Sequence, residues 1–537
     1  MTNSIDEIRD ADLMFVIGSN TSEAHPIIAM EMKRAVRNGA RLIVADPRAI
    51  WMSGIADMHL QLRPGTDVWL LNAMTHVIVT EDLLDHEFIE RHTEGFEAVR
   101  RTVLDYPPEE AEKVTGVPAE QIRSAARQYA TTRKAGIYYT LGITEHTHGT
   151  DNVYALANLV LMTGHLGVRS AGMNPLRGQN NVQGANDSGA TPVFYPGYQD
   201  VRDAQVRRKF EDRWGVDLAP HEGKNLNVMM KDLARGEIKG LFVMGEDLVI
   251  SEPNASQIEQ GLNRCEFLVC QEIFHNETTR YADVVFPATC FAEKDGVFTN
   301  SDRRVQRVRK AVEPPGDARE DWRILCDVAR AVGYPMPHYS SPAEVYDEMA
   351  SLAPKFAGIS HARLEGRPQG LQWPCTDGEH PGTPTLHLDG PAIGKAQFQQ
   401  VTYRPSDELP DEEYPLVLST GRTLYHYNAA TQTRRESGPV AKQREGFVEM
   451  HARDARRLGV SHGDIVRVAS RRGEVEAHVW VSPRVRRGSV WMPLHFPESR
   501  TNRLTNDAGD SVTGTGEYKV CAVRIEARAG AGETTRR

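Results

Sequence analysis

The residues best equipped for chemistry lie between Gly172 and Gly189. Glycines stand at 172, 178, 184 and 189, amides at Asn174, Gln179, Asn180, Asn181, Gln183 and Asn186, with one cation, Arg177, among them. Glycine lets a backbone approach a ligand closely, and amides both donate and accept hydrogen bonds. A guanidinium presents a rigid fork of N–H donors that matches a carboxylate or phosphate. The stretch has no apolar periodicity, so it reads as a loop rather than a helix or half-buried strand. A surface loop that happens to be rich in asparagine has a similar composition. The spacing of glycines between amides favours a loop that grips a large, heteroatom-rich ligand and aims one guanidinium at an anion.

A second set of polar residues sits at the ends of apolar runs. Residues 11–18 are an apolar run closing on Gly18, followed by Ser19 and Asn20; 27–38 read as an amphipathic helix, and 41–46 as a second strand ending in Asp46. Strand, helix and strand form a βαβ unit, whose ligand crevice lies at the C-terminal strand ends. An acidic residue there suits a nucleotide, and alone it would suggest NAD. The first turn lacks the G-x-G-x-x-G of a pyrophosphate cradle, which argues against NAD. Asp46 and Asp67 each carry a carboxylate that accepts a pair of N–H donors. For either aspartate alone, a helix N-cap or turn is the favoured reading; together in this order they shift the balance. Residues 81–129 carry helical periodicity. A buried strand over 136–142 ends at Gly142, and its loop offers Thr144 and His146, with a structural histidine the competing reading for His146. Residues 152–163 read as the helix leading into the 172–189 loop.

The design then repeats. Strands over 239–247 and 267–274 and around 278–287 carry Gly245, Glu246, Asp247, Glu272, Phe274, Thr278 and Asp283 at or beside their ends. Residues 317–332 read as an amphipathic helix. Residues 335–410, rich in Pro, Gly and His, predict a long irregular connection. From 416 onwards, short strands over 447–450, 464–469, 475–481 and 488–493 alternate with glycine turns, as in a closed β-barrel. Residues 451–459 read as an inserted helix stopped by Gly459. The expected fold is therefore α/β: two Rossmann-like αβα domains with parallel sheets and a C-terminal β-barrel cap. The expected boundaries are 1–178, 179–410 and 411–530, with a disordered tail over 531–537.

The run Leu176-Arg-Gly-Gln-Asn-Asn-Val-Gln-Gly-Ala185, with Pro196-Gly-Tyr-Gln199 behind it, resembles formate dehydrogenase alpha subunits, which are molybdenum or tungsten bis-pyranopterin guanine dinucleotide oxidoreductases. The resemblance implies that Arg177 is the catalytic arginine holding formate, flanked by Gly178, Gln179 and Asn180 at the cofactor. It places Gly18, Ser19, Asn20, Asp46, Arg48, Gly65 and Asp67 around one dinucleotide arm, with Gly142, Thr144 and His146 in a loop close to the pterin. Gly245, Glu246, Asp247, Glu272, Phe274, Thr278 and Asp283 fall around the other. In the barrel it implies cofactor contacts from Thr420, Gly421, Arg422, His426, Asn502, Tyr518 and Lys519. The implied cofactors are two molybdopterin guanine dinucleotides with Mo or W. In the family an N-terminal [4Fe–4S] segment and a metal-ligating Cys or selenocysteine precede the region that Met1 begins. The resemblance thus implies a truncated or split catalytic subunit, served by an iron–sulfur electron-transfer segment or partner. A nitrate-reductase-type molybdopterin oxidoreductase and a non-catalytic pterin-binding scaffold are the alternatives.

Composition sets outer bounds. The 537 residues suffice for two to four domains, and 40% hydrophobic with 25% charged residues is ordinary for a globular protein. The net charge of −10 is spread along the chain and shows no nucleic-acid footprint. No apolar run approaches a bilayer span, and residues 1–7 lack a basic and apolar leader, so a cytoplasmic enzyme is expected. The six cysteines have neither Cys-x-x-Cys pairing nor metal-ligand spacing, so reduced thiols and no metal ligand within this chain are expected.

Overall fold

The structure is a computed structural model and describes residues 1–528; the tail expected to be disordered lies outside the described residues. The chain forms two compact units. One holds Thr2–Leu176, Asp247–Gln260 and Thr385–Arg537; the other holds Met1, Arg177–Glu246 and Gly261–Pro384.

The larger unit opens on a five-stranded sheet of β1 (Leu13–Ile17), β2 (Arg41–Ala45), β3 (Met58–Leu60), β4 (Ala135–Tyr139) and β5 (Met173–Pro175). All pairings are parallel and the order is β3-β2-β1-β4-β5. The five residues of β1 are all buried, which is why they read as an unbroken apolar run rather than an alternating one. Helix α1 (Pro26–Arg37) starts with the proline in its first turn and buries Ile28, Ala29, Met32 and Ala35. Helix α2 (Asp67–Thr80) is apolar around most of its circumference and sends Leu70, Leu71, Met74, Val77 and Ile78 into the core around Phe15 and Ile137. Helices α3 (Ala119–Thr131) and α4 (Gly149–Met162) add Ile122, Tyr129, Leu156 and Leu159 to the same core. Strand order reverses between β1 and β4. At such a reversal the loops leaving neighbouring strand ends diverge to opposite faces and open a crevice.

The smaller unit begins with the short helix α5 (Val182–Asp187) and carries a second parallel sheet. It consists of β6 (Gly240–Met244), β7 (Phe267–Glu272) and β8 (Val284–Pro287) in the order β8-β7-β6. Phe242, Met244 and Phe267 lie on one face of it and remain 39–53% exposed. An antiparallel trio, β9 (Gly296–Thr299), β10 (Arg304–Val308) and β11 (Leu371–Gln372), packs a small core with Phe356, Ile359 and Leu364. The two parallel sheets share one device. Asp283 before β8 accepts from Leu268 N at 2.7 Å, as Asp57 before β3 accepts from Leu42 N at 2.7 Å.

The stretch 335–410 differs from its expectation. It contains helices Pro342–Leu352 and His361–Glu365 besides β11. Short helices capped by Ser341 and Ser360 carry too few periodic apolar positions to stand out among the prolines. Beyond it, β12 (Leu416–Gly421), β13 (Phe447–Met450), β14 (Ile465–Ala469), β15 (Glu474–Val481), β16 (Ser489–Pro493) and β17 (Cys521–Ala527) close a barrel in the order β12-β16-β13-β15-β14-β17. The inward positions of alternating strands, among them Leu418, Val448, Val466, Val468 and Val479, fill it. The helix expected over 451–459 is present as Ala452–Leu458, ended by Gly459 at φ +70°. Among the described residues no helix is long and apolar enough to cross a membrane.

Candidate functional site

In the larger unit the crevice forms where β1 and β4 part. Gly18 has φ +55°, and a Cβ there would sit 2.7 Å from the carbonyl carbon of Gly142. A Cβ on Gly142 would sit 2.6 Å from Gly18 Cα. Only two glycines allow this backbone contact, which Gly142 N and Thr140 Oγ1 seal by donating to Gly18 O at 3.0 and 2.8 Å. Beside it, Ser19 Oγ lies 3.0 Å from Thr21 Oγ1, while both amide atoms of Asn20 are buried without a protein partner.

Two acids flank this floor. Asp46 accepts from Arg48 N at 2.9 Å, and burial pushes its carboxyl up to about 6 against the pull of Arg48. Asp67 opens α2 two residues after Gly65, and burial pushes it up to about 6 as well, opposed chiefly by His146. The Arg48 side chain is tied to the barrel. Its Nε lies 2.6 Å from Glu449 of β13, and its guanidinium sits 4.0 Å from the Trp491 ring centroid. The loop after β4 is fastened to the barrel in the same manner. His146 Nε2 faces Gly142 O at 3.1 Å and Nδ1 faces the fully buried Glu517 at 3.2 Å. A buried carboxylate this close favours the charged imidazolium. Burial alone would lower His146, but Glu517 and Asp67 outweigh it and raise it to about 9. Glu517 also accepts from the backbone N–H of Thr147, Lys519 and Val520. Thr144, at the end of the short turn Leu141–Thr144, is half-buried in the same loop.

On the barrel side, Thr420 Oγ1 donates to Tyr518 O at 2.9 Å, and Lys519 Nζ bonds Thr420 O at 3.1 Å and pairs with Glu145 at 2.7 Å. Gly421 lies against the Trp491 ring, and Arg422 donates to Asn428 Oδ1. His426 has both nitrogens occupied, by Thr433 Oγ1 and Gln443 O, and Asn502 donates to Ile250 O and Ser251 O. These bonds tie His426 to Thr433 and Gln443, and Asn502 to the Leu248–Ser251 turn. Asp247, buried, belongs to this unit too, with its carbonyl starting the Leu248–Ser251 turn.

The remaining candidates lie in the smaller unit. Gly245 has φ +65° with nothing near its missing side chain, and Glu246 beside it is half-buried. Glu272 accepts from Ile273 N and Asn276 Nδ2, Phe274 is exposed, and Thr278 is fully buried. Asp283 uses one oxygen to staple β8 to β7, as described above. Arg177 and Gly178 are exposed at the head of the 172–189 loop, with Gln179 and Asn180 next to them. The backbone of Arg177 is pinned by donation from its N–H to Ser301 Oγ at 3.0 Å, and its Nε donates to Gln183 at 3.2 Å.

Sequence reasoning missed Glu517, Glu449 and Glu145. Their partners lie hundreds of positions away, so no local spacing announces them. The only hint was that Glu517 directly precedes Tyr518 and Lys519. All six cysteines are free thiols, four of them buried, and no cluster of three or more His, Cys, Asp or Glu able to hold a metal ion occurs among the described residues.

The larger unit fits a hydrogen-bonding dinucleotide. The crevice floor is backbone that a side chain would block, Asn20 and Thr423 keep buried polar atoms unpartnered, and burial raises the two carboxyls of Asp46 and Asp67. The described residues provide no ligand cluster for the metal itself.

Comparison with known proteins agrees. The family described as "Molybdopterin oxidoreductase" matches residues 1–331, and the "Molydopterin dinucleotide binding domain" matches 416–522. The chain belongs to the molybdopterin oxidoreductase family. It is 45% identical to the F420-dependent formate dehydrogenase subunit alpha of Methanocaldococcus jannaschii, covering 98% of this chain and 78% of that one. It is 41% identical to formate dehydrogenase H of Escherichia coli, over 98% of this chain and 74% of the other. The assimilatory nitrate reductase catalytic subunit of Bacillus subtilis is 34% identical over 98% and 76%. Acetylene hydratase from Pelobacter acetylenicus has the same fold, with TM-score 0.76 at 18% identity over 97% of this chain and 80% of that one.

Proposed function

We propose that this chain is a formate dehydrogenase catalytic subunit, converting formate to CO₂, one proton and two electrons. The observation that carries the reading is its 41–45% identity, along 98% of its length, to formate dehydrogenase alpha subunits, against 34% for the nitrate reductase. When bound, two pyranopterin guanine dinucleotides with molybdenum or tungsten supply the redox chemistry. Gly18, Ser19, Asn20, Gly65, Gly142 and Thr144 would line one dinucleotide arm, with Asp46 and Asp67 as acceptors for guanine N–H groups. Their raised carboxyls suit this task, since donated hydrogen bonds favour the charged form that burial disfavours. Thr420, Gly421, Tyr518 and Lys519 would close over the cofactor from the barrel. Arg48, His146, His426 and Asn502 would hold those walls in place. In the smaller unit, Gly178, Gln179, Asn180, Gly245, Glu246, Glu272, Phe274 and Thr278 would serve the second arm.

Arg177 would bind the formate carboxylate through parallel N–H···O bonds and so fix which way the C–H bond points. Hydrogen bonds to charged groups contribute roughly 1.5–3 kcal/mol each. An iron–sulfur segment or partner would carry the electrons onward. The test is to purify the protein, quantify guanine dinucleotide pterin and metal, and assay formate-dependent and nitrate-dependent dye reactions. Formate turnover that scales with pterin content supports the reading. Turnover of nitrate and not formate would assign the nitrate-reductase type, and bound pterin with neither activity would make the chain a scaffold.

A further inference from the structure

The stretch 172–189, expected to be a loop throughout, contains β5 and the short helix α5, and α5 holds a second polar group behind Arg177. Gln183 is 5% exposed and Asp187, one turn further along α5, is 2% exposed. Arg177 Nε donates to Gln183 Oε1 at 3.2 Å. The other end of that amide, Gln183 Nε2, donates to Asp187 Oδ1 at 2.9 Å and to Tyr198 OH at 2.7 Å. Tyr198 OH in turn donates to Asp187 Oδ1 at 2.8 Å, and Trp373 Nε1 donates to Asp187 Oδ2 at 2.8 Å. The buried carboxylate therefore receives three donors.

The geometry does more than satisfy a buried charge. A glutamine amide can sit either way round, and its neighbours decide which end faces where. Asp187 accepts only, so it forces the Gln183 NH₂ inward and the carbonyl outward, towards Arg177. Were the amide reversed, an NH₂ would face a guanidinium, and neither could accept. Tyr198 is held at φ +63°, a conformation that L side chains rarely adopt, and its ring packs 5.8 Å from that of Trp373. A backbone in this region persists where its surroundings hold it there. The loop is braced independently by Asn181, also left-handed at φ +63°, which accepts from Thr299 N at 3.0 Å.

We propose that Asp187 and Gln183 are positioning residues for Arg177: the buried carboxylate sets the polarity of the Gln183 amide, and that amide sets the plane of the guanidinium. This rests on the reading of Arg177 as the formate-binding residue. The relay adds specificity, because a guanidinium clamped at Nε presents its fork in one plane, suited to a small planar carboxylate.

The test follows the Arg177 Nε–H correlation in the full chain labelled with ¹⁵N-arginine, assigned by its loss in Arg177→Lys, with formate titrated against it. In the unmodified protein the signal is expected to be sharp and protected from exchange. Asp187→Asn and Gln183→Leu should broaden it and raise the formate Kd roughly tenfold, since a charge-assisted hydrogen bond no longer orients the fork. The double variant Asp187→Asn with Gln183→Glu reverses the relay, a carboxylate now facing Arg177 and an amide behind it, and should restore both readouts. A merely packing role for Asp187 would not be rescued in this way. Should Asp187→Asn fail to fold, Gln183→Leu leaves the carboxylate in place and carries the test. An unchanged Arg177 signal in both single variants overturns the proposal. A signal that broadens as expected while formate never perturbs it upholds the relay and overturns the formate reading instead.

Discussion

At the scale of the residue, Asn20 is the most exacting probe of the cofactor crevice. Both of its amide atoms are buried without a protein partner, a state that costs the apo protein about 1–3 kcal/mol per unsatisfied group. Replacing it with leucine should therefore raise the apo protein's stability in a urea titration while lowering retained pterin severalfold, read by fluorescence of the oxidised pterin. Loss of stability without loss of pterin would assign Asn20 to the scaffold. Residues of this kind were legible in the sequence because they follow a strand directly: Gly18, Asn20, Asp46 and Gly142 all sit at strand ends whose apolar runs are unmistakable. Arg177 was legible for a different reason, as one cation among amides and glycines. Gln183 and Asp187 stood in that same stretch, but only the turn of α5 shows that they lie behind the arginine rather than beside it.

At the scale of the element, three buried ion pairs, Arg48–Glu449, His146–Glu517 and Glu145–Lys519, join the first sheet's loops to the barrel. Removing one partner of such a pair leaves an uncompensated buried charge and costs about 3–5 kcal/mol, whereas replacing both with apolar residues is often close to neutral. Glu449→Ala should lose stability of that order in denaturant unfolding, because Arg48 is only 7% exposed; Arg48→Met with Glu449→Leu should recover most of it. The second pair adds a pH dependence. His146 is raised to about 9 in the folded protein, so its contribution is complete below its unfolded value near 6.5 and is lost as pH rises through about 9. The apo melting temperature should fall across that window, and Glu517→Gln should flatten the fall. Melting curves of both proteins between pH 6 and 10 check this, and parallel curves would contradict it. Strands of the barrel were readable from alternation and glycine turns. The ties between elements were not, since nothing in a local pattern tells Glu449 or Glu517 that its partner is 401 or 371 positions away.

At the scale of the whole molecule, the strand order β3-β2-β1-β4-β5 makes the crevice a consequence of topology, and the repeated aspartate staple shows the same construction in the second sheet. The βαβ logic and the barrel followed from apolar runs and turn residues. The helices within 335–410 did not, because Pro and Gly mask short helices held by tertiary packing. Nor did the sequence show that Asp247–Gln260 leaves the second sheet to join the unit that contains the barrel. A protein built around a large ligand should also be steadier with it: at a hundredfold excess over Kd, bound cofactor adds about 2.7 kcal/mol to stability. Pterin-loaded protein should accordingly melt several degrees above protein prepared without it. Formate turnover per bound pterin, compared between the unmodified chain and Arg177→Lys, tests the central claim most directly. A lysine offers a point charge in place of a planar fork, so kcat/KM should fall roughly 10- to 100-fold at unchanged pterin content. Turnover that survives the substitution intact would show that the arginine does not hold the substrate.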